Sequence, residues 1–281
     1  EQLSRLKEIG AFRSLRINKG MSDFCSNYFL GLARSAELKE KVNERYSKLS
    51  QSGATGSRLL SGNHELMEEL ENLLSTFHCS ESALLFNSGY DANLSMFGTI
   101  PKRGDIILYD KLVHASIHDG MRMSKAESIS FKHNDTEDLE ILLKQHSNEK
   151  GQVYVAVESL YSMDGDIARL EKIASLCEIY SAALIVDEAH ATGVLGKGGA
   201  GLVQELGLEK KVFARLHTFG KAIGGHGSAI LGSNVLRDYL INIARPLIFS
   251  TALSLHAVIH VMEAYKILAE EGEYLRKELQ N

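Results

Sequence analysis

Short apolar runs recur along the chain at 83–86, 106–109, 128–131, 153–158, 183–187, 212–218 and 228–231, and each reads as a strand. Between them the apolar positions return every three or four residues. Over 64–77, Leu66, Leu70, Leu73, Leu74 and Phe77 share one helical face. The segments 136–146 and 170–180 carry the same period, the first with Asn134 and Glu137 at N-cap and N3 positions. From Ala252 onward Leu255, Val258, Ile259, Met262, Tyr265 and Leu268 continue the pattern, which predicts a long terminal helix running to Asn281. Near-continuous apolar strands alternating with amphipathic helices predict an α/β fold, a mostly parallel sheet with helices on both faces. Ligands of such sheets bind beyond the carboxyl ends of the strands. Glu158, Asp187 and the stretch from Thr218 to Lys221 all fall at such ends, so the pattern predicts that they meet.

Composition narrows the class without changing that picture. The chain has 281 residues, 44% of them hydrophobic and 24% charged, as an ordinary globular protein does. Its only prolines are Pro101 and Pro246, and no repeat or low-complexity tract marks a linker. A formal charge of -5 without any basic stripe argues against a nucleic-acid partner. A locally positive site for an anionic substrate remains compatible with that charge. Cys25, Cys79 and Cys177 lack metal-type spacing and suggest reduced thiols in a cytoplasmic protein. No apolar run reaches the length of a membrane span, and the first residues do not form a signal peptide.

The candidate chemistry centres on Thr218-Phe219-Gly220-Lys221-Ala222-Ile223-Gly224-Gly225, a lysine on a glycine-flanked loop after an apolar run. Upstream, Asp187-Glu188-Ala189-His190 closes another apolar run. A lysine of lowered pKa beside a carboxylate and an imidazole suits a Schiff base to pyridoxal 5'-phosphate (PLP), with Asp187 keeping the pyridine nitrogen protonated and His190 reaching the ring oxygen. Ser88-Gly89-Tyr90 follows a strand and opens a helix, where free amides can hold a phosphate and Gly89 permits close approach. His114, at another strand-to-helix turn, is placed to stack on a ring and to act as acid or base, and Ser162 can offer a hydroxyl to the ring or its 3-oxygen. Each element has a plainer reading alone: a surface lysine in a turn, a capping Asp187, a structural His114, a core Tyr90. Their shared order favours the PLP site. Asp164 and Asp166 form a D-x-D without the rest of a calcium loop, so no metal is expected.

These segments resemble the α-oxoamine synthases of PLP fold type I from about Asn27 to Thr251. Ser26-Asn27-Tyr28-Phe29-Leu30-Gly31-Leu32 is similar to the family's S-N-D-Y-L-G-L, with Tyr28 replacing an acidic residue. Gly56-Ser57-Arg58-Leu59-Leu60-Ser61-Gly62 resembles its glycine-rich segment, and Tyr90 stands where Phe is more usual. His114, Ser162, Asp187, His190, Thr218 and Lys221 match cofactor contacts, and Phe249-Ser250-Thr251 matches Y-S-T. The resemblance implies a homodimer in which Ser250 and Thr251 reach the partner's phosphate site. It also implies decarboxylative condensation of an amino acid with an acyl-CoA or acyl-ACP, with Lys221, His114 and Asp187 catalytic and Asn27 and His114 meeting substrate. A match of Arg13, with Arg16 competing, to an arginine for the acyl carboxylate favours L-alanine plus a pimeloyl thioester, as in biotin biosynthesis. Glycine with an acetyl donor and serine with a palmitoyl donor use the same cofactor residues. A lyase or aldolase on the same fold, or a non-catalytic paralogue, are the other classes. The expected organisation is an arm and start of the substrate site (1–35), a PLP-binding large domain (36–255), and a helix (256–281) leading toward a small C-terminal domain that the family carries and this chain lacks.

Overall fold

The computed structural model describes residues 1–15, 17, 19–147 and 150–280. Among the described residues, β1 (Ser82–Phe86), β2 (Ile106–Asp110), β3 (Glu127–Phe131), β4 (Val153–Glu158), β5 (Ala183–Asp187), β6 (Ala214–Thr218) and β7 (Ser228–Gly232) form one sheet, ordered β1-β7-β6-β5-β4-β2-β3. The helices are α1 (Gln2–Glu8), α2 (Ala36–Tyr46), α3 (Glu65–Phe77), α4 (Gly89–Thr99), α5 (Ala115–Met123), α6 (Thr136–His146), α7 (Leu170–Ile179), α8 (Leu202–Glu205), α9 (Asn234–Ile243), α10 (Arg245–Ile248) and α11 (Leu255–Gln280).

The sheet is mostly parallel, as the apolar pattern predicts. The exception is β7, which runs antiparallel to both neighbours, β1 and β6. No helix separates β6 from β7; the loop 219–227 joins them directly, so Thr218 pairs with Ser228. The polypeptide therefore turns back at the carboxyl end of β6, and this reversal keeps the lysine loop over the strand ends.

Alternation along each strand divides the core. Leu84 and Phe86 of β1, Ile230 of β7 and Ala156 of β4 face one apolar layer with α4, α5 and α9. On the opposite face, Ala83, Leu85, Ala229 and Leu231 pack with α2, α3 and α11. There too Val153, Val155 and Val157 pack with α6 and α7. Period two in the strands and period 3.6 in the helices thus bury both faces. The predicted elements differ from the observed ones at their ends. The sixth strand begins at Ala214, and the last helix at Leu255. The cap of α6 is Asp135, whose carboxylate accepts from the Glu137 and Asp138 amides, while Asn134 takes a left-handed φ of 54° and turns the chain into the helix.

Candidate active site

Adjacent parallel strands place two carboxylates side by side: Glu158 ends β4, Asp187 ends β5, and the two are register partners. Next along the sheet, β6 ends at Thr218 and the loop to β7 begins. Within it the Phe219 amide donates to the Gly227 carbonyl (3.0 Å), the Gly225 amide to Phe219 (2.6 Å) and the Gly224 amide to Lys221 (3.0 Å). Gly224 has φ 68°, and a Cβ there would sit 2.4 Å from the Ala33 nitrogen. Only glycine lets this loop turn tightly while packed on the 32–34 segment. Facing it, the N-terminus of α4 is capped by Ser88, whose Oγ accepts from the Asp91 amide (3.1 Å). A Cβ on Gly89 would lie 2.5 Å from Thr218 Cγ2, so this glycine allows α4 to approach the end of β6. His114 caps α5 through Nδ1, which accepts from the Ser116 amide (3.2 Å). The strand ends, the loop and these helix starts enclose a cleft of about 330 Å³.

Charge in the cleft is unevenly satisfied. Asp187 is buried, and its Oδ1 accepts from the Ala189 amide (2.9 Å) while Oδ2 accepts from Asn93 Nδ2 (2.9 Å). Glu158 is also buried. Burial and then the neighbouring Asp187 charge push its carboxyl up to about 8, against the opposing pull of Lys221. Its Oε1 has no hydrogen-bond partner among the described residues. Burial lowers the Lys221 amine, although Asp187 and Glu158 partly counter it. Burial, together with the charges of Lys221 and His114, pushes His190 down to about 4. The arrangement offers an amine that loses its proton readily, a carboxylate held ready as acceptor, and a carboxyl that keeps its proton near neutrality.

Of the residues predicted from sequence, Asn27, Gly89, Tyr90, His114, Asp187, His190, Thr218 and Lys221 line this cleft together. Tyr90 is 43% exposed, and its hydroxyl donates to Asp119. Ser162 lies exposed on the turn after β4 and is not among the lining residues. Ser250 and Thr251 line a separate small crevice with Arg58 and Asn87, where Asn87 Nδ2 donates to the Thr251 carbonyl (2.8 Å). Arg13 is exposed on the N-terminal arm beside Phe12 and Leu15, away from the cleft lining. Arg16 lies outside the described residues. The acidic turn brings His133, Asp164 and Asp166 within 4.8 Å of one another, and Asp166 there accepts from His133 and Asn134.

Asn93, Ser116 and His226 also line the cleft without a role in the sequence reading, and Glu158, expected at the strand ends, had no chemical role there. Asn93 follows Gly89 by one helical turn and so shares its face, a signal that the period contains. Glu158 is legible as a strand end but not as a buried acid. For Ser116 and His226 no pattern in the sequence marks them out.

The family model for aminotransferase class I and II matches residues 19–281. An 8-amino-7-oxononanoate synthase of Emericella nidulans is 43% identical over 286 residues, 96% of this chain and 69% of that protein. A putative 8-amino-7-oxononanoate synthase of Aquifex aeolicus is 40% identical, over 99% of this chain and 74% of its own. Among solved structures, a serine palmitoyltransferase of Sphingomonas wittichii superposes with a TM-score of 0.84 at 31% identity, covering 90% of this chain and 62% of that one. An 8-amino-7-oxononanoate synthase of Francisella tularensis gives 0.76 at 27% identity, over 94% of this chain and 72% of its own.

Proposed function

The chain belongs to the aminotransferase class I and II family, as one of its PLP-dependent α-oxoamine synthases, and from that footing we propose that it condenses L-alanine with a pimeloyl thioester to give 8-amino-7-oxononanoate. The observation that carries this reading is the 40–43% identity, over nearly the whole chain, to proteins of that name. The serine palmitoyltransferase superposition, with the higher TM-score, favours serine and a long acyl donor as the second reading.

The cleft suits PLP. The α4 N-terminus offers amides to a phosphate, Asp187 waits as an acceptor, and the buried Glu158 Oε1 lacks a partner among the described residues. When bound, PLP supplies an electron sink for negative charge at the substrate α-carbon. Lys221 is the residue assigned to carry it, because burial lowers its amine and makes the neutral nucleophile accessible. The same amine, neutral because burial lowers it, would take the α-proton. Asp187 would hold a proton at the pyridine nitrogen, its carboxylate kept oriented by two donors. His190 stays neutral, so it can donate toward the ring oxygen without adding charge. With the cofactor bound, His114 would stack on the ring and orient substrate, and Asn27 would meet the amino-acid carboxylate. Thr218, Gly89, Tyr90 and Ser162 complete the cofactor contacts in this assignment.

The remaining assignments concern a second copy of the chain. Ser250 and Thr251 lie outside this chain's own cleft, which agrees with their serving the partner's phosphate in a homodimer. Arg13 is assigned to the acyl carboxylate, although it lies off the cleft lining of its own chain. In the proposed organisation residues 1–35 are the arm and 36–255 the cofactor domain, and the distal part of α11, whose first half packs on α2 and α3, leads out of it. No described helix is long and apolar enough to cross a membrane, and we place the activity in the cytoplasm.

A thiol-release screen of alanine, glycine and serine against pimeloyl, acetyl and palmitoyl thioesters tests the reading. Alanine with pimeloyl thioester should give the highest kcat/KM. Highest turnover with serine and palmitoyl thioester replaces it with the second reading.

A further inference from the structure

One hydrogen-bond chain crosses from α4 to α5 at the cleft, and the roles proposed above use only its link to Asp187. Asn93 is 1% exposed, and its Nδ2 donates both to Asp187 Oδ2 (2.9 Å) and to Ser116 Oγ (2.9 Å). An ionised carboxylate only accepts, so the amide must present its NH2 to Asp187. This orientation leaves Asn93 Oδ1 buried without a partner among the described residues. A buried unpartnered carbonyl is costly, and turning the amide over would set its oxygen against the carboxylate. The carboxylate therefore dictates the amide's orientation.

The second amide proton has a further consequence. Ser116 Oγ accepts from Asn93, so its own hydrogen is free to point at His114 Nδ1, 2.7 Å away. The Ser116 backbone amide donates to the same Nδ1 at 3.2 Å. A ring nitrogen that accepts carries no proton, so the neutral His114 ring must hold its hydrogen on Nε2.

We propose that Asn93, acting through Ser116, is a positioning residue that fixes Asp187 as a charged acceptor and His114 as its Nε2–H tautomer, a hydrogen-bond donor. The Asp187 half of this proposal rests on the PLP reading; the His114 half rests on the chain of contacts alone. One amide thereby sets the electrostatics at the cleft and the donor at its side. Neither group can turn without disturbing the other.

The test uses the full chain, labelled with 15N-histidine, and long-range 1H–15N spectra with and without PLP. His114 signals are identified by their loss in His114→Gln. The neutral wild-type ring should show Nε2–H and a bare Nδ1. Ser116→Ala and Asn93→Leu should both raise the share of the Nδ1–H tautomer, since only the longer Ser116 backbone amide contact (3.2 Å) then holds Nδ1 as an acceptor. In the same variants PLP affinity is measured by visible absorbance. Asn93→Leu should weaken it about tenfold or more, the loss of a charge-assisted bond, and Ser116→Ala by much less. Ser116→Ala leaves α4 intact and decides the His114 half even if Asn93→Leu does not fold. An unchanged tautomer in Ser116→Ala, or PLP affinity unchanged in folded Asn93→Leu, overturns the proposal. A wild-type chain that takes up no borohydride-trappable PLP defeats the functional reading instead, and the tautomer comparison then decides the linkage by itself.

Discussion

The charges of individual side chains set how this site behaves with pH. The Glu158 carboxyl is raised from 4.5 to about 8, first by burial and then by Asp187 across the strand pair. Its folded state therefore holds a proton that the unfolded state releases. The resulting stabilisation is complete below about 4.5 and is lost as the pH rises through about 8. Glu158→Gln, which cannot ionise, should accordingly gain thermal stability relative to the wild type across that window in PLP-free protein. Melting curves over the range check this, and a constant difference between the two proteins contradicts it. Lys221 is lowered by the same burial. Lys221→Ala should bind PLP reversibly and yield no borohydride-trapped adduct, read by mass spectrometry of the intact chain. An adduct at another lysine would remove Lys221 from its role. Asp187→Asn keeps a hydrogen bond but loses the charge, so it should fold normally and lose most turnover, on the order of a hundredfold or more.

At the scale of elements, close approach matters more than any single bond. The loop 219–227 turns on Gly224, whose left-handed φ of 68° and packing on Ala33 exclude a side chain. Gly224→Ala should cost roughly 1–3 kcal/mol and also weaken PLP binding, because the strain falls on the loop that carries Lys221. Denaturation and PLP titration of one preparation separate the two effects. Gly89→Ala should disturb PLP binding with less loss of stability, since its Cβ would meet only the methyl of Thr218. The strands were legible in the sequence because runs such as 153–158 and 183–187 are buried on both faces and carry little else. The reversal at β7 was not, since a short apolar strand has the same composition whichever way it runs. The cap of α6 was misread for a related reason: Asn134 and Asp135 both suit a cap, and only the backbone angle separates them. In the cleft, strand ends and a glycine loop announced Asp187 and Lys221. Asn93 shares the Gly89 face of α4, but Ser116 is reached only through packing of α4 on α5, a long-range contact with no local pattern.

The whole molecule leaves part of the proposed site unassembled within one chain. Ser250 and Thr251 sit in a crevice apart from the cleft, and nearby Phe249 is 70% exposed. Leu60, on the segment that follows Arg58 of the same crevice, is 88% exposed. Large apolar side chains exposed around residues assigned to a cofactor site fit a surface that a second copy covers, and isologous pairing is the commonest way to cover it. If each PLP is held by Lys221 of one copy and by Ser250 and Thr251 of the other, the two defects lie in different chains of a shared site. Lys221→Ala and the double variant Ser250→Ala, Thr251→Ala should each be inactive or nearly so. Unfolded and refolded together in equal amounts, they form mixed dimers in which one of the two sites receives both intact contributions. About a quarter of all sites in the mixture are then whole, and activity should recover to about that fraction of the wild type. Mixing without refolding should restore less, according to how fast the copies exchange. Recovery would fail if Ser250 and Thr251 acted on their own chain's cleft, because every site would then carry one defect or the other. A wild-type chain sedimenting as a PLP-loaded monomer at assay concentration would exclude the shared site without any variant.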